Sequence, residues 1–345
     1  MYVLGYGTRP EAIKLFPIAL ELQNRKIPFK TLFTGQHKDL AQDSSIPMPN
    51  PDIILDNVMK HGQSINNLLS DIIKKSDKHL KNQDLKLIVQ GDAESGLGLA
   101  LSAFNNQIPI IHIEAGLRTN KIDSPFPEEM NRSLITKLSS VHFCHSKKSV
   151  NNLKKENILN NVFLVGNTIV DSVKYMLKKS EQSEKIKKIV SGEPYLVATL
   201  HRRENRDTKF EKIWAELNNV SSKIKIVYIT HPSVKNITIR KDKNIEVLEP
   251  LNYGNMIHLL KNSKGVISDS GGIQEEVTSL NKFILICRDT TEREETIDSG
   301  FGLLVNNEVE KNIDFLFQNP KQTIKPVYGE NVSSKIVDIL DKNEL

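Results

Sequence analysis

Cysteine is nearly absent: Cys144 and Cys287 are the two in 345 residues, far apart, each ending or interrupting an apolar run. That excludes a disulfide scaffold and a cysteine-based metal motif, and leads us to expect two reduced core thiols in a cytosolic protein. Aromatic residues are sparse, at 6% with one tryptophan, and no basic stripe is interleaved with them. The net charge of +5 is spread over lysines with acidic neighbours, so a nucleic-acid partner is not expected. No apolar run approaches ~18 residues, which argues against a membrane span. The chain enters a strand at Tyr2-Val3-Leu4 without a charged, cleavable apolar leader, so a cytoplasmic location is expected. No short-period repeat or low-complexity tract is visible.

What the chain has is 26% charged and 38% hydrophobic residues, the balance of a soluble globular protein, and enough length for two domains with a core each. Apolar runs of the strand kind recur at 2–5, 29–34, 85–90, 108–113, 141–144 and 162–165, then at 195–200, 224–230, 245–248, 266–268 and 283–287. Helix-like segments fall between them, near 12–23, 64–80 and 96–104 and from about 125. A lysine- and glutamate-rich stretch, Lys178 to Pro194, separates the halves. The pattern predicts an α/β protein of two doubly wound, Rossmann-like domains facing a cleft.

The most informative stretch is Gly265 to Leu280, a short strand ending in Ser268-Asp269-Ser270, then Gly271 and Gly272, then a helix whose buried face carries Ile273, Val277 and Leu280. Two residues without Cβ let a ligand approach the backbone, and the new helix's exposed N–H groups favour an anion. A phosphate fits there, with Glu275 or Glu276 a turn later to accept bonds from a ribose. A plain βα turn is the competing reading. At the other end of the chain, Gly5-Tyr6-Gly7-Thr8-Arg9-Pro10-Glu11 follows the first strand but lacks the third glycine of a dinucleotide fingerprint. Arg9 and Lys14 put two cations at a helix start, where the dipole does not reward them. An anionic ligand between them, or a surface helix with incidental basic residues, would explain this.

Asp92, Glu114 and Glu128 stand at C-terminal strand ends or at a helix start, places that share one crevice in an open parallel sheet. Carboxylates grouped in a partly dry cleft push their pKa values apart, which suits one to act as acid and another as base. His201 ends the first strand of the second half. No Gly-x-Ser-x-Gly elbow marks a serine hydrolase. His112, His142 and His145 cluster in sequence, but His142 alternates within an apolar strand and reads as a core residue rather than a metal ligand.

Taken together, Gly7 to Lys14, His112 to Arg118, Pro127-Glu128-Glu129 with Asn131-Arg132, His201 to Glu204, Asp269 to Glu276 and Tyr328 to Asn331 resemble the non-hydrolysing UDP-N-acetylglucosamine 2-epimerases over nearly the whole chain. The resemblance implies the two-domain architecture of GT-B glycosyltransferases. Residues 1–166 with a returning helix at 330–345 would form the acid/base domain, and 167–329 the UDP-binding domain. It implies interconversion of UDP-N-acetylglucosamine and UDP-N-acetylmannosamine through a 2-acetamidoglucal, with no NAD, no essential metal, and a homodimer. Asp92, Glu114 and Glu128 would be the acid/base group, in an order the sequence leaves open. His201 and Arg9 would stabilise the departing diphosphate, Ser270, Gly271 and Gly272 would hold it, and Glu276 would bind the ribose. Lys14, Arg132 and Arg293 complete the expected substrate contacts. A related 2-acetamido sugar, a GT-B glycosyl transfer and a hydrolysing epimerase are the alternatives. The chain departs from relatives at Ala93-Glu94-Ser95, where a threonine-rich run is usual, and at Glu294, which replaces a proline. Relatives also bind UDP-N-acetylglucosamine as an activator near the segments matching Gln36-His37 and Gln63, whose surroundings here, Lys38-Asp39 and His61-Gly62, differ.

Overall fold

A computed structural model of the chain describes residues 1–37, 45–60, 62–81, 84–201, 205, 208–231, 244–318 and 326–342. It divides into two units, Met1–Ser172 with Tyr328–Leu345, and Val173–Val327.

The first unit is built on seven parallel strands: β1 (Tyr2–Tyr6), β2 (Phe29–Phe33), β3 (Ile53–Ile54), β4 (Lys86–Gln90), β5 (Ile110–Ile113), β6 (Val141–Cys144) and β7 (Val162–Leu164). Their order is β3-β2-β1-β4-β5-β6-β7. Leu87, Ile88 and Val89 of β4 are fully buried, as expected for a central strand covered on both faces. The cover comes from α1 (Arg9–Asn24), α2 (Ile65–Leu80), α3 (Glu94–Asn105), α4 (Glu128–Leu138) and α5 (Lys147–Lys155). The winding direction reverses between β1 and β4, which makes their C-terminal ends the switch point of this sheet.

Helix α1 begins at Arg9, three residues before the start read from the apolar pattern, because Thr8 caps it. The Glu11 side chain reaches back to complete a capping box, and Pro10 sits in the first turn. Gly7 has no alternative here: a Cβ would lie 1.9 Å from Thr34 Oγ1 and 2.8 Å from Ser95 Cβ.

Six parallel strands form the second unit's sheet: β8 (Tyr195–Thr199), β9 (Lys225–Ile229), β10 (Ile245–Leu248), β11 (Val266–Ser268), β12 (Ile284–Ile286) and β13 (Gly302–Leu304), ordered β10-β9-β8-β11-β12-β13. The switch point lies between β8 and β11. The helices are α7 (Glu184–Val190), α8 (Thr208–Ser221), α9 (Tyr253–Asn262), α10 (Gly271–Ser279) and α11 (Glu294–Asp298), with a 3₁₀ segment at Glu310–Phe317. The chain passes from the first unit to the second within α6 (Ile169–Lys179).

The lysine- and glutamate-rich stretch is therefore not a bare separator. Its Lys178 and Lys179 end α6, and α7 within it buries Ile186 and Ile189 behind a Ser183 cap. After the second unit the chain returns to the first as α12 (Val332–Lys342), which packs on α1. Arg25 ion-pairs with Asp338, Tyr2 Oη donates to the Leu340 carbonyl at 2.9 Å, and Ser333 donates its N–H and hydroxyl to Asp171 Oδ2, both at 2.7 Å. Cys144 and Cys287 are both buried free thiols.

Candidate active site

In the first unit the candidate residues gather at the sheet's switch point. Gly91, in the left-handed region at φ 71°, turns the chain out of β4 and sets Asp92 at its C-terminal end. Glu114 follows β5 and itself adopts φ 69°, a conformation that costs a non-glycine residue on the order of 1 kcal/mol and is kept only where the surroundings impose it.

Each of these two acids meets a cation from a helix. Lys14 Nζ of α1 contacts Glu114 Oε2, both side chains buried, and Gln90 Nε2 donates to the same oxygen at 2.9 Å. Arg132 of α4 directs Nε and an Nη at Asp92 Oδ2, Nε at 2.9 Å, while its other Nη reaches Glu129 Oε2 at 3.1 Å. Asn131 Nδ2 adds a bond to the Asp92 carbonyl at 3.0 Å. Glu129 is held in turn by the N–H groups of Thr119 and Asn120. Glu128 is the first residue of α4, partly buried, one turn ahead of Arg132. The anion beside Lys14 is thus supplied by the protein itself, as Glu114.

The turn that carries Arg9 is anchored beneath. Glu11 Oε2 accepts from the N–H of Gly7 at 3.0 Å and of Thr8 at 2.8 Å, and Ser95 Oγ lies on both carboxylate oxygens. Burial outweighs these donors and pushes the Glu11 carboxyl up from 4.5 to about 6. The departure at Glu94 also has a partner, for Gln36 Nε2 donates to it at 2.7 Å while Gln36 Oε1 takes the N–H of Ser95. His112, buried in β5, bonds the Gly91 carbonyl through Nε2 at 2.8 Å, and burial lowers its pKa to about 3. It is a neutral brace behind Asp92. His142 is buried in β6 and likewise pushed down, to about 4. Among the described residues no group of three or more His, Cys, Asp or Glu side chains is placed to hold a metal ion.

The second unit carries its candidates at its own switch point. Ser270 caps α10 by accepting the N–H of Ile273, which leaves its hydroxyl proton as a donor. Gly272 is exposed, and among the described residues a Cβ there would come within 4.0 Å of Ser270 Oγ alone. The first N–H groups of a helix lack intrahelical acceptors, so this turn has the makings of an anion cradle. Asp269, fully buried, accepts from the His201 N–H at 3.1 Å, pairs with His201 Nδ1 at 3.2 Å and takes a bond from Asn205 Nδ2 at 2.8 Å. Asn205 bridges onward to the Cys287 carbonyl at 2.7 Å. The His201 ring also lies 4.8 Å from that of His231.

Glu275 and Glu276 are both buried on α10. Glu275 is fully buried against Arg293, Oε1 to Nε 2.6 Å, whereas Glu276 is buried one position further on. Arg202, Arg203 and Glu204, and Lys38, Asp39 and His61, lie outside the described residues.

The same arrangement of sheets recurs in known proteins. The family model for UDP-N-acetylglucosamine 2-epimerase matches residues 20–341. The chain belongs to the UDP-N-acetylglucosamine 2-epimerase family. Among its relatives, an enzyme of that name from Salmonella borreze is 34% identical over 96% of both chains, and one from Neisseria meningitidis is 36% identical over 98% of both. The structure of a UDP-GlcNAc 2-epimerase from Neisseria meningitidis bound to UDP-GlcNAc superposes with a TM-score of 0.88 at 34% identity, covering 99% of this chain and 100% of that one. The Methanocaldococcus jannaschii enzyme in complex with UDP-GlcNAc and UDP gives 0.88 at 31%, covering 99% of each. A glycosyltransferase from Streptomyces nogalater, 11% identical, shares the two-sheet GT-B-like α/β fold at a TM-score of 0.52, covering 98% of each chain.

The residues that brace the candidate site differ in how far motif reading can find them. Glu11 sits three residues after Thr8, the spacing of a capping box, which is a usable signal. Gln90, Ser95 and Asn205 have none, because each acts on a residue 24 to 84 positions away.

Proposed function

We propose that the protein is the non-hydrolysing type of epimerase and interconverts UDP-N-acetylglucosamine and UDP-N-acetylmannosamine by elimination and re-addition of UDP. The observation that carries this reading is the pairing of Glu114 with Lys14 and of Asp92 with Arg132 at one sheet's switch point. Two carboxylates each held by a cation, with Glu128 at the start of the helix that carries Arg132, make a proton-transfer group.

The chemistry needs such a group. A base removes the C2 proton, the C–H electron pair becomes the C1–C2 double bond, and the C1–O bond breaks with its electrons leaving on the β-phosphate of UDP. The products are 2-acetamidoglucal and UDP. In the return step UDP adds to C1 and an acid delivers a proton to the opposite face of C2. Asp92, Glu114 and Glu128 do this work in the first unit. In the second, Ser270, Gly271 and Gly272 hold the diphosphate, His201 stabilises its departure and Glu276 binds the ribose, and Arg9 of the first unit is assigned to the same departing group. Arg293, clamped to Glu275 of α10, is the further substrate contact assigned to this unit, and Arg132 and Lys14 act by holding the acids. The relatives solved with UDP-GlcNAc support the ligand. A cytoplasmic homodimer completes the reading, with light scattering as the check on its mass.

Proton NMR in D₂O with UDP-N-acetylglucosamine decides the reaction. Deuterium at C2 with UDP still attached is the expected result. Free N-acetylmannosamine would make the enzyme hydrolysing, and an unchanged spectrum would remove the epimerase reading.

A further inference from the structure

Gln90 is out of keeping with its strand. It closes β4 after Leu87, Ile88 and Val89, all fully buried, and is itself 3% exposed. A buried carboxamide without a partner is costly, so its place depends on the bond it makes. That bond is to Glu114 Oε2 at 2.9 Å, the oxygen that Lys14 also contacts.

The two donors differ in kind. Lys14 brings charge from α1 on a flexible stem with three equivalent donors, which favours ionisation of the carboxyl but does little to fix its plane. Gln90 brings a directional N–H from the neighbouring strand, where its Cα pairs in register with Ile113, the residue before Glu114. Since the Glu114 backbone is pinned in the left-handed region at the end of β5, the side-chain torsions are its remaining freedom, and two donors converging from different elements remove it.

We propose that Gln90 is a positioning residue, which orients the Glu114 carboxylate and, with Lys14, keeps it in its proton-accepting form at the start of the reaction. This rests on the acid/base reading of Glu114 given above. The titratable groups that act on this carboxylate include Lys14 from α1 and His112 from its own strand, whose pKa burial lowers to about 3.

The test is the pH profile of C2 deuterium incorporation in three variants. Gln90→Met keeps the length and removes the donor. The acidic limb of kcat is expected to move up by about one pH unit, with kcat at the wild-type optimum down about tenfold and KM within about twofold. Gln90→Glu puts a second carboxyl against Glu114 and is expected to move the limb further the same way. An unmoved limb in both variants, or failure of both to fold by circular dichroism, assigns Gln90 a merely structural role and overturns the proposal. Glu114→Gln is measured alongside. If it keeps full turnover, the acid/base reading is what has failed. If it is inactive while Gln90→Met has the wild-type profile, only the positioning role has failed.

Discussion

Ser95 Oγ stands 2.6 Å from one carboxylate oxygen of Glu11 and 2.7 Å from the other. This bond, from the first turn of α3 to the first turn of α1, joins the loops that follow β1 and β4, which carry Arg9 and Asp92.

The Glu11 carboxyl is raised by burial from 4.5 to about 6, so between those values the folded protein holds a proton that the unfolded chain has released. Stability from this group is full below pH 4.5 and is lost as pH rises through 6, by roughly 2 kcal/mol. Glu11→Gln can keep an oxygen on the Gly7 and Thr8 N–H groups and turn its amide to Ser95 without titrating. Urea melts at pH 4.5 and 7 should show the wild type losing about that much relative to the variant.

His112 has the opposite sign. Its pKa falls from 6.5 to about 3 because burial disfavours the imidazolium, so the unfolded chain takes up the proton first. The stabilisation is complete above pH 6.5 and declines on acidification by about 1.4 kcal/mol per pH unit until about pH 3. His142, lowered to about 4, adds a second proton of the same sign. Replacing His112 with Gln should remove one proton's worth of slope from a plot of unfolding free energy against pH between 6 and 5.

Arg132 serves two acids at once, and a lysine cannot reproduce its fork. Arg132→Met leaves Asp92 and the buried Glu129 without their cation, and breaking such a pair costs roughly 3 kcal/mol. A drop in Tm should accompany a fall in kcat on the order of 100-fold, as expected if Asp92 moves a proton. In Asp92→Asn, whose uncharged side chain still accepts from Arg132, the loss of kcat should persist while most of the Tm is kept.

On α10, Glu276→Ala tests the ribose contact. Loss of a contact made equally in the ground and transition states raises KM and spares kcat. KM for UDP-N-acetylglucosamine should rise about tenfold or more, with kcat within about threefold. A fall in kcat at constant KM would assign Glu276 to the chemistry instead.

Much of this was legible in the residues. β4 and β8 show as unbroken apolar runs because both faces are covered, and Asp92, Glu114 and Ser270 show because they stand where such runs stop. β3, with two residues, is too short for any period to register. α7 is hidden because Ile186 and Ile189 are outnumbered by lysine and glutamate. The electrostatic half of the site is the least readable: Lys14 and Glu114 are 100 positions apart, and nothing local to either announces the other.

The return of α12 to the first unit bears on how the polypeptide matures. During synthesis the α1 flank of the acid-bearing sheet lacks its α12 cover until everything from Val173 to Val327 has been made, while the second unit is one uninterrupted segment. A premature stop codon before Val332 would therefore strip the earliest-made half of the molecule of the helix that Tyr2, Arg25 and Asp171 hold, while removing nothing from the later-made segment.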